Sequence, residues 1–488
     1  MRKLSIPKEA KDVLHNLEQA GFQAYAVGGC VRDLLRRGEP KDWDVTTNAK
    51  PEQIEKLFPD SFYENKFGTV TVKTSSKKPA LAEIEVTTYR VDEKYSDKRH
   101  PDTVRFTATL EEDLARRDFT VNALALNEAQ GVAKIIDPFD GQKDLGDKII
   151  RAVGNPADRF REDALRMMRA VRLATELGFS IEENTHQAIK ENAKSIDLIA
   201  KERVRDELIK IIDAKQAYEG VLLLKDTGLL QVVLPELAAG IGVGQNKHHI
   251  YTVFEHNALS LKWGAEHDYP FHVKLAALLH DVGKVETKRG EGPDSTFYGH
   301  EIVGSRITRQ ILTRLRFPVK STHTISMLVK HHLFYYNVGE VTAKSVRRLV
   351  AKVGPENMAD LIKVRICDRM GSGVPKPEPY RLRHFQYMVE KVQKDPLSPK
   401  MLKMNGDDIM ELLKIEPGPK VGQLLAILLD EVLDEPKRNK KVYLKNRIKE
   451  LGELPESELQ RLSQKSKEKQ EEFEQAVDEK VKEKYWVK

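Results

Sequence analysis

The chain has 488 residues, of which 40% are hydrophobic and 32% are charged, a composition typical of folded proteins with several domains. Its formal net charge of +6 permits an anionic partner without requiring one. The sequence has neither an apolar run long enough to cross a bilayer nor the apolar core of a signal peptide, and its two cysteines, Cys30 and Cys367, are far apart. We therefore expect a cytoplasmic protein with no membrane partner and no disulfide bond.

The first 150 residues are predicted to mix strands with helices. Four segments are predicted strands, because most of them place β-branched residues at alternate positions: "QAYAVGG", "KDWDVTT", "FGTVTVKT" and "AEIEVTTYR". Pro51 begins "PEQIEKLF", and proline is common in the first turn of a helix. This part of the chain is predicted to form a small α/β head.

The rest of the chain is predicted to be helical. Beyond about residue 155 the apolar residues recur at helical spacing, as in "LIKIIDAKQAYEGVLLLKDTGLL", and no further strand is predicted. The fold class is therefore α+β, with a head followed by an all-α neck, body and tail. The predicted domains are a head (1–150), a neck (151–240), a body (241–375), a carboxyl-terminal helical region (376–452) and a charged, solvated helical tail (453–488).

Asp42 and Asp44 form the first candidate site. Residues two apart on a strand point to the same face, so these two carboxylates repel each other unless a cation lies between them. Mg²⁺ suits such a pair, because it prefers oxygen ligands and usually shares them with substrate phosphates. An isolated pair of this kind is more often two solvated acids on an edge strand. Glu85, on a neighbouring predicted strand, either supplies a third carboxylate or faces solvent.

Gly28 and Gly29 precede a predicted helix that carries Arg32. Bare backbone amides at the start of a helix bind phosphate, and an arginine in the first turns adds a positive charge. A metal site beside a phosphate-binding turn indicates nucleotide chemistry.

The chain resembles the class II nucleotidyltransferases, specifically the bacterial CCA-adding enzymes, over nearly its whole length up to about residue 450. Five segments carry the resemblance in the order found in the family: "GGCVRDLL…KDWDVTT", "DLARRDFTVNALA", "REDALRMMRAVRLA", "ERVRDELIKII" and "MNGDDIMELLKIEPGPKVGQLL". Five motifs in the same order are far more specific than any one of them.

The resemblance implies a polymerase-β-like palm that adds C, C and A to the 3′ end of tRNA without a nucleic-acid template. It implies CTP and ATP as substrates, pyrophosphate as product, and Mg²⁺ bound by Asp42 and Asp44 as catalytic groups. The residues that it places around the nucleotide are Gly28, Gly29, Arg32, Arg117, Asp118, Asn122, Asp163, Arg166, Arg169 and Arg172.

Asp163 and Arg166 suggest how a protein could replace a template. On one helix they would be neighbours, and a carboxylate only accepts hydrogen bonds whereas a guanidinium only donates them. Cytosine and adenine each present an amino donor beside a ring-nitrogen acceptor, which matches this pair. Guanine and uracil present the opposite polarity, and each unpaired buried polar group costs about 1–3 kcal/mol. Taken alone, the pair would be an ordinary surface salt bridge.

Two arginines further along the predicted helix have less certain roles. The helix turns by about 300° over three residues, so successive arginines drift around it. We expect Arg169 near phosphate or a carboxylate, while Arg172, on the far side from Asp163, could be a structural ion pair. The polar segment 89–106 is predicted to be a mobile loop, and the resemblance implies that it supports the switch from C to A addition.

A second candidate site combines histidines and aspartates in the predicted body. His256, then His280 with Asp281, then the distant Asp368 resemble the HD phosphohydrolase superfamily, in which such residues cage a divalent metal. The same site could extend to a second metal or to phosphate through nearby histidines, namely His300, His331 and His332. Whether this body hydrolyses a phosphoester, as a phosphodiesterase or 2′-phosphatase, or only grips tRNA stays open.

Other functions remain open at this point. An A-adding enzyme that works beside a separate CC-adding enzyme would carry the same head. An HD phosphohydrolase with an inert head would depend on Asp281 rather than Asp44. A non-catalytic RNA-binding module would need neither acid, and poly(A) polymerases, which are close kin, lack the HD portion. Oligomeric state is not predicted.

Overall fold

The structure is a computed structural model that describes residues 5–63, 68–93, 103–107, 109–129, 132–246, 250–339, 341–374, 376–393 and 402–487. The chain divides into two compact units. The first contains Met1–His332 with Lys363–Pro375, and the second contains Leu333–Ile362 with Lys376–Lys488. The five-part division expected from the sequence stays a prediction.

The head contains most of the strands. Its elements are, in chain order, α1 (Lys8–Gln19), β1 (Ala24–Val27), α2 (Gly29–Leu35), β2 (Asp44–Thr47), α3 (Pro51–Leu57), β3 (Ser61–Tyr63), β4 (Thr69–Lys73), α4 (Pro79–Ala82), β5 (Glu83–Thr88), β6 (Arg90–Glu93), β7 (Thr103–Phe106), α5 (Leu110–Ala115), β8 (Ala125–Ala129), β9 (Val132–Ile136), α6 (Gly141–Asp147) and β10 (Ile149–Ile150).

Seven of these strands form one sheet in the order β3-β4-β5-β2-β1-β8-β9. β2 and β5 run parallel, and the other neighbouring strands are antiparallel. One core forms where the apolar side of α1, including Leu14 and Leu17, packs with buried strand residues such as Val45 and Val86. The sheet therefore fixes β2 and β5 side by side on a buried support.

The four strands predicted in the head are confirmed as β1, β2, β4 and β5, and Pro51 begins α3 as expected. The expectation that Asp42 lies on a strand is wrong, because β2 begins at Asp44. Among the described residues, six head strands were not predicted, and each has at most five residues, too few for a clear alternation: β3, β6, β7, β8, β9 and β10. Residues 94–102 of the predicted loop lie outside the described residues.

The remaining elements are helical with one exception. They are α7 (Pro156–Glu162), α8 (Leu165–Leu177), β11 (Ser180–Ile181), α9 (Glu183–Asn192), α10 (Lys201–Asp213), α11 (Ala217–Asp226), α12 (Leu229–Val233), α13 (Pro235–Ala238), α14 (Val253–Glu266), α15 (Phe271–Leu279), α16 (Lys284–Thr287), α17 (His300–Arg314), α18 (Val319–His331), α19 (Ala343–Val353), α20 (Met358–Gly371), α21 (Tyr380–Gln393), α22 (Gly406–Leu413), α23 (Pro419–Asp434), α24 (Lys441–Gly452) and α25 (Glu456–Tyr485).

Two expectations about this region are corrected. A strand does occur beyond residue 155, since the two residues of β11 pair in parallel with β10. The charged tail is helical as predicted, but α25 is not wholly solvated, because Leu459 is buried in a core with α23 and α24. No helix among the described residues combines the length and apolarity that a bilayer crossing requires.

Gly141, at the start of α6, allows this helix to lie against the turn around Thr120. A Cβ atom at position 141 would lie 2.2 Å from the Thr120 carbonyl oxygen, whereas a Cβ at Gly146 of the same helix would meet nothing within 4 Å. We expect Gly141→Ala to destabilise the head by about 1–3 kcal/mol. Gly146→Ala is the matched control and should be neutral or stabilising. Melting temperatures from circular dichroism measure both, and equal values would contradict this packing.

Candidate active site and metal centre

The first site begins where β1 turns into α2. Gly28 has a φ of 82°, a conformation that favours glycine. A Cβ atom there would lie 3.2 Å from Nη1 of Arg117 and 3.7 Å from Oδ2 of Asp44. The bare backbone of Gly28 therefore faces an acid and an arginine that the sequence separates by more than 70 residues.

The acids meet at the parallel pair of strands. Asp44 begins β2 directly opposite Glu85 of β5, and the exposed Asp42 precedes β2. The pKa of Asp44 is raised to about 7, because burial outweighs the opposing effect of Arg117, and the charges of Glu85 and Asp42 add to the rise. Since a nearby cation would favour the ionised form, this arrangement suits a metal ion.

A buried carboxylate holds the arginine beside Asp44. Asp113 is fully buried and accepts hydrogen bonds from Arg116 Nη2 at 2.8 Å and from Arg117 Nη2 at 3.3 Å. Thr46 of β2 donates to the same carboxylate at 3.1 Å. The pKa of Asp113 is lowered, because the two arginines outweigh the effect of burial, which alone would raise it. Asp113 thus fixes Arg117 relative to β2.

Asp118 connects α2 with α8. Its Oδ2 accepts hydrogen bonds from Arg169 Nε at 2.8 Å and Nη2 at 2.5 Å, and its Oδ1 accepts one from Asn122 Nδ2 at 3.2 Å. Asn122 Oδ1 in turn accepts from Arg32 Nη1 at 2.8 Å. Burial would raise the pKa of Asp118, but Arg169 holds it well below its usual range. The expected carboxylate partner of Arg169 is therefore present.

These residues border a cavity of about 230 Å³. Its lining consists of five arginines and two aspartates: Arg116, Arg117, Asp118, Asp163, Arg166, Arg169 and Arg203. The excess of positive charge suits a polyphosphate. Arg116 and Arg203 were not predicted as site residues, although both lie in the quoted segments "DLARRDFTVNALA" and "ERVRDELIKII".

Asp163 and Arg166 do not lie on one helix, so that expectation is wrong. Asp163 follows the end of α7 in an extended conformation, and its Oδ1 accepts a hydrogen bond from the backbone of Leu165 at the start of α8. The helix breaks there because the aspartate caps the next one. The two side chains nevertheless line the same cavity.

Each member of this pair has its own partner. Asp163 Oδ2 accepts from Arg203 Nη2 at 2.8 Å. Arg166 donates to Glu162 Oε2 at 2.6 Å and to the carbonyl oxygens of Arg159 and Arg116 at 3.3 and 3.1 Å. These three contacts leave two of the five guanidinium hydrogens for another acceptor.

Arg172 forms ion pairs within the helical region. Its Nε lies 2.6 Å from Oε2 of Glu207, and its Nη1 lies 2.9 Å from Oε2 of Glu176. Arg172 is absent from the described lining of the cavity. This placement agrees with the alternative, stated from the sequence, that Arg172 forms a structural ion pair.

The second site gathers six side chains from five segments of the first unit: His256, His280, Asp281, His300, His332 and Asp368. His256 Nε2 lies 3.1 Å from His280 Nε2 and 3.2 Å from Asp368 Oδ1. The sequence predicted either or both of His331 and His332 at this site. His332 belongs to the cluster, because its Nε2 lies 3.7 Å from Asp281 Oδ1.

The buried aspartates of this cluster favour positively charged groups beside them. Burial lowers the pKa of His280, but Asp281 and Asp368 more than offset it and raise the value to about 10. The pKa of His332 falls to about 3 through burial and through its neighbour His280. Two cations at the rim were not predicted. Lys284 lies 2.6 Å from Asp281 Oδ2, and Arg365 lies 2.6 Å from Asp368 Oδ2.

Within the described parts of the chain, two groups of three residues place their ligand atoms within 4.8 Å of one another, and both belong to this histidine cluster. The head acids do not form such a group there, so the two sites differ in kind. The cluster is a dense set of nitrogen and oxygen ligands, whereas the head offers carboxylates that leave room for further ligands.

Similarity to known families covers the same regions. Residues 24–151 match the poly A polymerase head domain, residues 178–241 match the "Probable RNA and SrmB- binding site of polymerase A", and residues 249–370 match the HD domain. The fold and both sites thus define a metal-dependent nucleotidyltransferase joined to an HD domain.

Similarity to individual proteins narrows this class. An A-adding tRNA nucleotidyltransferase from Deinococcus radiodurans is 37% identical over 345 residues, which cover 67% of this chain and 76% of that protein. A CCA-adding enzyme from Lactobacillus delbrueckii is 48% identical over 218 residues, or 44% of this chain and 53% of that enzyme. The chain therefore belongs to the class II tRNA nucleotidyltransferase family. The sequence match spans about half the length of the curated CCA-adding enzymes.

Two solved structures of CCA-adding enzymes are similar to this chain. The Bacillus stearothermophilus CCA-adding enzyme in complex with CTP has a TM-score of 0.57 and 28% identity, covering 91% of this chain and 96% of that one. The Thermotoga maritima CCA-adding enzyme complexed with tRNA has a TM-score of 0.52 at 20% identity, covering 90% of this chain and 94% of that one. The second likeness concerns the fold alone.

Asp44 should destabilise the metal-free protein above neutral pH. A carboxyl group whose pKa is raised by folding destabilises the folded chain as it ionises. The loss of stability grows as the pH rises from the pKa of the group in the unfolded chain, 3.8, to its pKa in the folded chain, about 7. We expect Asp44→Asn to raise the melting temperature of the metal-free chain at pH 8 and to increase its free energy of unfolding by at most about 4 kcal/mol. The gain should vanish near pH 4. Differential scanning calorimetry with a chelator measures it, and an equal effect at both pH values would contradict the assignment.

Proposed function

We propose that this protein adds C, C and A to the 3′ end of tRNA from CTP and ATP and releases pyrophosphate. The observation that carries the proposal is the convergence of Asp44, Gly28 and Arg117 beside a cavity rich in arginine. Carboxylates for a metal and guanidinium groups for phosphates are the two requirements of nucleotidyl transfer.

We assign Mg²⁺ to Asp42 and Asp44, with Glu85 as a further candidate ligand. The raised pKa of Asp44 supports this, because a carboxylate in such surroundings is stabilised by a cation. When bound, the ion would neutralise phosphate charge and orient the attacking hydroxyl of the RNA. The protein's own part is to hold the triphosphate with Gly28, Gly29, Arg32 and Arg117.

The ribose and base are assigned to the other side of the cavity. Asn122 accepts a hydrogen bond from Arg32 and donates one to Asp118. Both residues suit the hydroxyl groups of a sugar, because carboxylate and amide oxygens accept hydrogen bonds from hydroxyls. We infer that Asp163 and Arg166 read the base edge, with Arg169 holding Asp118 in place. Arg203 and Glu162 support the reading pair through their ion pairs.

Addition of A alone is the second candidate. The observation favouring it is that the Deinococcus radiodurans relative, whose match covers 67% of this chain, is an A-adding enzyme. Both candidate sites lie in the first unit, whether the protein adds C, C and A or A alone. For the location we propose the cytoplasm, whose reducing conditions suit two buried, free cysteines, Cys30 and Cys367.

Products made from three tRNA substrates should separate the candidates. We expect tRNA that ends before CCA, after C, or after CC to be completed to CCA in each case, as read by sequencing the products. Asp44→Asn should slow extension of all three by at least about 100-fold, since it removes a charged metal ligand. Extension of only the CC-ending substrate would indicate A addition.

The HD domain offers an internal control for this experiment. If the main activity were phosphoester hydrolysis, Asp281→Ala would abolish it while Asp44→Asn would spare it. Hydrolysis that persists in Asp44→Asn, together with no extension of any tRNA by the unchanged chain, would contradict the proposed function, whereas normal extension by Asp44→Asn would contradict the assignment of the metal to Asp44.

Discrimination between nucleotides tests the reading pair. Asp163→Ala and Arg166→Ala should each reduce the preference for CTP over UTP by about 10–100-fold, because each removes one polar contact of about 1–3 kcal/mol. Single-nucleotide incorporation rates measure the ratio. Arg161→Ala is the matched control, because this arginine is 69% exposed and pairs only with Asp158 in the described contacts. An unchanged ratio in both cavity variants would contradict base reading by this pair.

A further inference from the structure

Helix α10 supplies two ion pairs to the part of the chain that carries the base-reading residues. Arg203 Nη2 lies 2.8 Å from Asp163 Oδ2. Glu207 Oε2, one turn further along, lies 2.6 Å from Nε of Arg172 in α8. Arg203 and Glu207 are four residues apart, so they lie on the same face of α10. The position of α10 therefore influences where the carboxylate of Asp163 is held.

The HD domain holds the opposite face of the same turn of α10. Arg205 follows Arg203 by two residues, which places it about 200° around the helix. Its Nη1 donates a hydrogen bond of 2.5 Å to the backbone carbonyl oxygen of Arg316. Arg316 lies between α17 and α18, inside the segment 249–370 that matches the HD domain. The amino-terminal half of α10 thus lies between the cavity and the HD domain.

The turn that accepts this hydrogen bond is itself fixed. The backbone N–H groups of Arg316 and Phe317 donate to carbonyl oxygens in the last turn of α17, which closes that end of the helix. Phe317 is buried, and its ring lies parallel to that of Phe271 at the start of α15, with the centroids 6.3 Å apart. Arg205 is therefore attached to an ordered part of the HD domain.

A buried lysine of the HD domain holds the other end of α10. Lys274 Nζ donates to the backbone carbonyl oxygen of Asp213, the last residue of α10, at 2.9 Å and lies 2.5 Å from its Oδ1. A Cβ atom at position 264 would lie 3.3 Å from Cγ of Lys274, so Gly264 leaves room for the lysine stem. Lys274 is 2% exposed, and a buried ammonium group is costly unless it is paired. A cation at the carboxyl end of a helix also stabilises its unpaired carbonyl groups.

We propose that the HD domain positions α10 against the cavity, with Arg205 and Lys274 as the positioning residues, and thereby sharpens the discrimination between bases. The inference rests on the proposed reading of the base by Asp163 and Arg166. Without these two contacts α10 would be free to rotate against α8, and Arg203 would no longer hold Oδ2 of Asp163. A loosely oriented carboxylate accepts less well from the amino group of cytosine and excludes the carbonyl oxygen of uracil less strictly.

Nucleotide preference in variants of the full chain tests this role. Single-nucleotide incorporation rates are measured with CTP and with UTP. We expect Arg205→Met and Lys274→Met each to reduce the preference for CTP by about 3–10-fold, because each frees one end of α10. Arg205→Lys, which can still donate to the Arg316 carbonyl, should keep most of the preference. Arg306→Met is the matched control, because this arginine is 57% exposed and pairs with Glu286 inside the HD domain.

A second background separates positioning from general destabilisation. In chains that carry Asp163→Ala there is no carboxylate for α10 to hold, so adding Arg205→Met should change the preference less than about two-fold. Only variants with the circular dichroism spectrum of the unchanged chain are compared. The side chain of Arg205 is 21% exposed, so its variants decide the outcome even if replacement of the buried Lys274 unfolds the chain.

An unchanged preference in folded Arg205→Met, with the rates for both nucleotides falling equally, overturns the proposal. So does an equal loss with and without the Asp163 carboxylate, or a loss of the same size in Arg205→Lys or Arg306→Met. If the unchanged chain extends tRNA without preferring CTP, the reading of the base fails, and this inference fails with it.

Discussion

The head is organised around negative charges that its own fold brings together. The parallel pairing of β2 and β5 sets Asp44 opposite Glu85, and burial raises the pKa of Asp44 to about 7. Such a group is destabilising when ionised unless a cation is near. Gly28 leaves space beside it, and Asp113 holds Arg117 close to the same place. The carboxylates would therefore bind the metal ion, and the metal ion together with the arginines of the cavity would balance the charge of the triphosphate.

The two candidate metal sites use different chemistry. The head offers carboxylates alone and leaves room for phosphate oxygens, which suits a hard ion that arrives with its substrate. The HD cluster offers four histidines and two aspartates, and five of these six side chains are at least nine-tenths buried. Such a set of nitrogen and oxygen ligands suits a transition metal.

Much of the head could be predicted from local pattern. The alternation of β-branched residues located β1, β2, β4 and β5, whereas the expectation that Asp42 and Asp44 share one strand held for Asp44 alone. The break at Asp163 was missed because the apolar period continues through it, while the signal was the capping aspartate itself. Arg203 was missed because its carboxylate partner, Asp163, is distant along the chain and only the tertiary fold brings the two together. Arg116 and Lys284 pair with carboxylates three residues away, Asp113 and Asp281, so the sequence did carry a signal for them.

We propose that one cation lies against Asp42 and Asp44 when a nucleotide is bound. Crystals of the full chain grown with CTP and Mn²⁺ in place of Mg²⁺ would locate that ion by anomalous scattering. The account predicts a manganese peak within about 2.5 Å of both carboxylates and of the triphosphate. CTP bound in the cavity with manganese confined to the HD cluster would contradict it.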